Sequence, residues 1–102
     1  MAELKIEQWG KDNSARFLLE GVIDTETSPK LQKVLLAEFE KVKNISLDMA
    51  KVSYVSSAGL RVLLLAQKQT KSGEKSLKLL HLTEAVKDLF NTVGFIRLFT
   101  IE

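Results

Sequence analysis

Two adjacent hydroxyls followed by a small residue and a glycine, Ser56-Ser57-Ala58-Gly59-Leu60, are the part of this chain best suited to chemistry. They lie between an alternating stretch, Ile45-Ser46-Leu47-Asp48-Met49, and an apolar one, Val62-Leu63-Leu64-Leu65-Ala66. That placement reads as a strand-to-helix turn. At such a turn, unpaired N–H groups and the positive end of the helix dipole converge. A phosphorylated serine or a bound phosphate suits the spot, and so does a plain capping serine. Ser57 is expected to be the N-cap, its oxygen aimed at the helix start formed by Ala58, Gly59 and Leu60. Ser56 then projects to the other side of the extended turn.

Other chemistries lack their parts. A serine hydrolase elbow needs Gly-x-Ser-x-Gly with a histidine and an acid, but Val55-Ser56 precedes Ser57 where the first glycine belongs. The sole histidine, His81, ends a predicted strand and reads as a strand-end polar residue rather than a base. There is no Gly-x-x-x-x-Gly-Lys loop and no His/Asp/Glu set at metal-ligand spacing, so no cofactor, no metal and no catalysis are expected. Asp24 and Asp48 are expected at or near strand ends that precede helices. In an open parallel sheet those ends lie along one edge, where ligands and partners dock. Their plainer roles are to cap a helix and to satisfy nearby backbone donors.

Composition narrows the partners. The chain has 102 residues, 45% hydrophobic and 27% charged, the balance of one soluble globular domain spanning 1–102. Without cysteine it has no disulfide or thiolate chemistry. The longest apolar run, Val62 to Ala66, is far short of a membrane span, which needs about 20 residues. The first residues do not resemble a signal peptide, so the expected location is cytoplasmic, with no membrane partner. Net charge is only +2 and the lysines are interspersed with glutamates, which argues against direct nucleic-acid binding.

The elements that must position the serines follow from periodicity. Residues 3–9 alternate as a strand, and Gly10-Lys11-Asp12-Asn13 turns into a second strand with Ala15, Phe17 and Leu19 on one face. Gly21-Val22-Ile23-Asp24 leads to a helix capped by Asp24 or Thr25, with Pro29 in its first turns and Leu31, Val34, Leu35, Phe39 and Val42 inward. A third strand over 44–50 is joined by a short connection to a helix over about 57–71, which Gly73 ends. Leu77, Leu79 and Leu80 mark a fourth strand. Thr83 caps a third helix whose Val86, Leu89, Phe90 and Val93 face inward, with Gly94 just past its end. Phe95 to Ile101 closes as a final strand. The alternation predicts an α/β fold: a mostly parallel sheet of about five strands with an N-terminal antiparallel hairpin and helices packed on it. Asp24, Thr25, Tyr54, Ser56, Ser57 and Arg61 flank two strand-to-helix turns expected side by side, and form the predicted docking surface. Tyr54 is its aromatic anchor.

The run Ile45-Ser46-Leu47-Asp48-Met49-Ala50-Lys51-Val52-Ser53-Tyr54-Val55-Ser56-Ser57-Ala58-Gly59-Leu60-Arg61-Val62-Leu63-Leu64 resembles the signature of the STAS family, the domains shared by sulphate transporters and bacterial anti-sigma factor antagonists. Gly21-Val22-Ile23-Asp24 is similar to that family's Gly-x-hydrophobic-Asp element, and Leu82-Thr83-Glu84-Ala85-Val86 to the start of its closing helix. The length suits a free-standing antagonist.

The resemblance implies a partner switch. The bare antagonist binds an anti-sigma factor that is itself a serine kinase, which frees a sigma factor for transcription. The kinase then phosphorylates the antagonist, and a serine phosphatase resets it. The family's acceptor lies two positions before Gly-Leu, which is Ser57. Where the family often carries Asp-Ser-Ser-Gly or Asp-Ser-Thr-Gly, Ser56 here replaces the acid and is a second candidate acceptor, while Ala58 replaces the second hydroxyl. The alternative is a non-switching STAS scaffold or accessory subunit of a signalling or transport complex.

Overall fold

The computed structural model describes residues 3–72 and 74–102. Strands β1 (Leu4–Lys11) and β2 (Ser14–Ile23) form an antiparallel hairpin. Three strand–helix repeats follow: α1 (Ser28–Phe39) leads to β3 (Asn44–Val55), α2 (Ser57–Lys68) to β4 (Ser76–Leu80), and α3 (Glu84–Thr92) to β5 (Thr100–Ile101). The sheet order is β1-β2-β3-β4-β5, with every pair after the hairpin parallel. This is the predicted α/β architecture.

Alternation decides which side is covered. Ala15, Phe17 and Leu19 on β2, Ile45, Leu47 and Met49 on β3, and Leu77 and Leu79 on β4 are all buried. Against them lie Leu31, Leu35 and Phe39 of α1 and Leu60, Leu63 and Ala66 of α2, in one apolar cluster. The intervening residues, Arg16, Ser46, Asp48 and Lys78, point to the other face.

Several boundaries differ from the sequence expectation. β3 continues through Val55 instead of ending at residue 50, because Val52, Tyr54 and Val55 are strand-favouring and β2 is long enough to pair with them. Asp48 therefore sits in the middle of β3, not at a strand end. The helix before β3 begins at Ser28, preceded by a turn over Asp24–Thr27. Asp24 does not cap it directly: its Oδ1 accepts from the N–H groups of Glu26 (2.9 Å) and Thr27 (3.1 Å), while the buried Thr27 Oγ1 accepts from Asp24 N–H at 2.9 Å. Thr25 plays no part in this turn's side-chain bonding.

α2 gives way after Lys68 to a single 3-10 turn, Gln69–Ser72, and the expected stop at Gly73 lies outside the described residues. Thr83 caps α3 as expected, its Oγ1 accepting from Val86 N–H at 3.3 Å, and Gly94 follows with φ 75°. Val93, expected inward, is 42% exposed, since α3 stops at Thr92 and the helical stripe lapses there. The last strand shrinks to Thr100–Ile101. Phe95–Phe99 turns instead, anchoring Phe99 against Phe90 with ring centroids 5.5 Å apart.

Candidate functional site

The parallel pairing of β2 with β3 brings two strand ends together. Val22 lies beside Tyr54 and Ile23 beside Val55, and Ser56 N–H donates to the Ile23 carbonyl at 2.8 Å. The turns after β2 and β3 are thus neighbours, as the docking surface requires. Asp24 is half-buried by its turn, Thr25 is exposed, and Tyr54 is 54% exposed. Ser57 and Arg61 are exposed, one helical turn apart.

The two serines exchange the expected roles. Ser56 is the N-cap, in extended conformation (φ −85°, ψ 177°), and its Oγ accepts from Gly59 N–H at 3.3 Å. Its carbonyl accepts from Leu60 N–H at 2.8 Å, the first bond of the helix. Ser57 is already the first helical residue, outside the extended conformation that aims an N-cap oxygen at the N2 and N3 donors. Its hydroxyl makes no hydrogen bond among the described residues. The expected helix-start donors are correspondingly fewer: Gly59 and Leu60 have their N–H groups engaged, which leaves Ala58.

Gly59 is where the helix meets the sheet. A Cβ at that position would lie 2.5 Å from the Ile23 carbonyl oxygen and 2.9 Å from Val55 Cγ1. The absence of a side chain lets the start of α2 approach the end of β2 closely enough for Ser56 to bond to Ile23.

Two shallow apolar grooves flank the turn, both bordered by α3 or the residues just after it. One, of about 310 Å³, is lined by Ser57, Leu60, Arg61, Leu64, Val93 and Phe95. The other, of about 260 Å³, includes Tyr54, Val55, Ala85, Leu89 and Thr92. Sequence reasoning missed the contribution of α3 to this surface. Leu64, seven residues beyond Ser57, shares its helical face and was available as a signal; Val93 and Phe95 were not, because only packing carries them to α2.

A second polar cluster lies at the middle of the sheet. The buried Asp48 carboxylate accepts from Arg16 at 3.0 Å and from Ala50 N–H at 3.1 Å, and His81 Nδ1 lies 3.2 Å from it. Burial pushes its carboxyl up, but the Ala50 N–H, the Arg16 guanidinium and His81 outweigh that and hold it below the ordinary aspartate value. His81 is held at φ 58° with its N–H on the Glu102 carbonyl. Asp48 satisfies backbone and side-chain donors, its plainer expected role. It does not gather around Ser57: Val55 is seven residues further along β3, about 23 Å at ~3.3 Å per residue. His81, tied to Asp48, is equally remote. Among the described residues no set of three His, Cys, Asp or Glu side chains could hold a metal ion, and no helix is long and apolar enough to cross a membrane.

Known proteins resemble this chain in sequence and in fold. BtrV of Bordetella bronchiseptica, named as an anti-sigma factor antagonist, is 34% identical over 84 residues, covering 81% of this chain and 72% of BtrV. The anti-sigma-B factor antagonist of Staphylococcus epidermidis is 29% identical over 92 residues, 89% of this chain and 85% of its own. Among solved structures, an anti-sigma factor antagonist from Mycobacterium paratuberculosis superposes with a TM-score of 0.85 at 18% identity, covering 97% of this chain and 85% of that one. Bacillus SpoIIAA in its phosphorylated form superposes at 0.73 with 14% identity, covering 98% and 91%. A family model described as "Mlab, STAS domain" matches residues 8–100. The chain belongs to the STAS domain family.

Proposed function

We propose that this protein is an anti-sigma factor antagonist whose partner, an anti-sigma factor with serine kinase activity, docks on the surface formed by Asp24, Thr25, Tyr54, Ser56, Ser57 and Arg61. Phosphorylation of Ser57 releases the partner, a serine phosphatase restores docking, and the cycle runs in the cytoplasm to regulate transcription. The observation that carries this reading is the division of labour at the turn. Ser56 caps α2, and the Ser57 hydroxyl is exposed and bonded to nothing among the described residues. Modifying Ser56 would disturb the oxygen that caps α2, whereas the Ser57 hydroxyl has no bond among the described residues to disturb. The relatives named as anti-sigma factor antagonists support the same role, as does a fold neighbour solved in phosphorylated form.

The chemistry belongs to the kinase. Ser57 Oγ attacks the γ-phosphorus of ATP, the new O–P bond forms as the bond to ADP breaks, and the hydroxyl proton passes to a base on the kinase. The product carries about −1.5 to −2 charges and three acceptor oxygens. Placed about 4 Å from a like charge on the docked partner, one such charge costs on the order of 4 kcal/mol at an effective dielectric near 20. At about 1.4 kcal/mol per decade, a loss of affinity of roughly a hundredfold or more follows without any change of fold.

The test is incubation of the wild type, Ser57→Ala and Ser56→Ala with the cognate anti-sigma kinase and ATP. Phosphate is then located by mass spectrometry and partner affinity measured. Ser57→Ala is expected to bind but take no phosphate, and Tyr54→Ala to weaken binding by about 1 kcal/mol or more. Phosphate on Ser56 would reassign the acceptor. Phosphate on neither serine would favour the non-switching scaffold.

A further inference from the structure

We propose that Arg61 is the counter-ion of a phosphate on Ser57, so that the phosphate is closed onto the chain's own helix rather than left in solvent; this rests on the switch proposed above. Ser57 and Arg61 are four residues apart on α2, the spacing at which helical side chains lie one above the other. Both line the same groove, whose remaining walls, Leu60, Leu64, Val93 and Phe95, are apolar.

Both side chains are uncommitted. The Ser57 hydroxyl makes no hydrogen bond and Arg61 no ion pair among the described residues, whereas Arg16 on β2 is bound to Asp48. No carboxylate lines the groove, and none stands in the first turn of α2 to compete for the guanidinium. Apolar walls on the far side weaken the solvent screening of the pair. The planar guanidinium also matches two phosphate oxygens at once, which a lysine ammonium does not.

This pairing makes phosphorylation a double change. The surface gains a dianion and loses a free cation, because Arg61 turns from the partner toward its own helix. A partner whose carboxylate meets Arg61 in the bare state loses that contact and faces the phosphate in its place.

The pairing is read by ³¹P NMR on protein carrying phosphoserine at position 57, installed during translation so that no kinase is needed. The second phosphate ionisation, ordinarily near pH 6, is titrated in the wild type, Arg61→Gln and Arg61→Lys. The wild-type value is expected about 0.2–0.4 pH units below that of Arg61→Gln at low salt. Arg61→Lys should keep part of the difference, and 1 M salt should largely erase it, the screening length being about 3 Å there. Protein carrying phosphoserine at position 56 should titrate identically with and without Arg61. Equal titration of wild type and Arg61→Gln at position 57, or a dependence on Arg61 at position 56 instead, overturns the assignment. A kinase that leaves Ser57 unmodified overturns the switch but not this pairing, which the installed phosphate reads directly.

Discussion

At the middle of β3, Asp48 is surrounded by Arg16 of β2, the Ala50 N–H of its own strand and His81, just past the end of β4. At the end of the same strand, the Ser56 hydroxyl is bonded and, among the described residues, that of Ser57 is not. Both places are polar, and both lie where neighbouring elements meet. In the first, the carboxylate is matched by several donors, and the cluster ties β2 and β3 to the residue that follows β4. In the second, a hydroxyl and a guanidinium one helical turn apart are left over among the described residues, beside mostly apolar grooves. Matched groups on a sheet hold it; unmatched groups on a rigid frame are available to something else.

The largest effect should come from the frame of the second site. Gly59→Ala places a methyl against the Ile23 backbone oxygen, which has no rotamer to escape through. A loss of about 2 kcal/mol or more is expected in urea unfolding. An unchanged midpoint would mean that α2 is not packed against β2 as tightly as the site requires.

Next comes the matched cluster. Asp48→Ala should cost about 1–3 kcal/mol by leaving the Ala50 N–H and the Arg16 guanidinium without their acceptor, with phosphorylation of Ser57 unaffected. Loss of phosphorylation in a folded Asp48→Ala protein would break the separation between the two places. The same cluster sets an acid dependence. Asp48 titrates below its unfolded value of about 3.8, so its contribution is complete above that pH and is lost as pH falls through the lower folded value. Wild-type stability should therefore drop on acidification below pH ~4 more steeply than that of Asp48→Asn.

The smallest effect separates the two serines. Ser56→Ala removes a cap and should cost about 1 kcal/mol, whereas Ser57→Ala should stay within about 0.5 kcal/mol of wild type. The reverse order in thermal or urea unfolding would restore Ser57 as the cap.

Much of this arrangement is legible in the residues. Ala15, Phe17 and Leu19, or Ile45, Leu47 and Met49, alternate too regularly to be anything but one-sided strands. Thr83 and Gly94 bracket α3 because each has the side chain, or lack of one, that a helix end needs. The neighbourhood of Asp24, Tyr54 and Ser57 follows from two successive strand–helix turns on a parallel sheet. These are local or topological facts, carried by short-range periodicity and the chirality of the connections.

What the tertiary structure alone decided is where each element stops and which of two equivalent side chains takes a bond. Val52, Tyr54 and Val55 favour a strand, but they stay in β3 only because β2 extends beside them to pair. Phe95–Phe99 leaves the sheet because Phe99 finds Phe90. Ser56 rather than Ser57 caps α2 because Gly59 lets the helix start sit on Ile23, and that contact fixes the register of the turn by one residue. A sequence carries both hydroxyls with equal standing; only the close approach of helix and sheet bonds the first and leaves the second free.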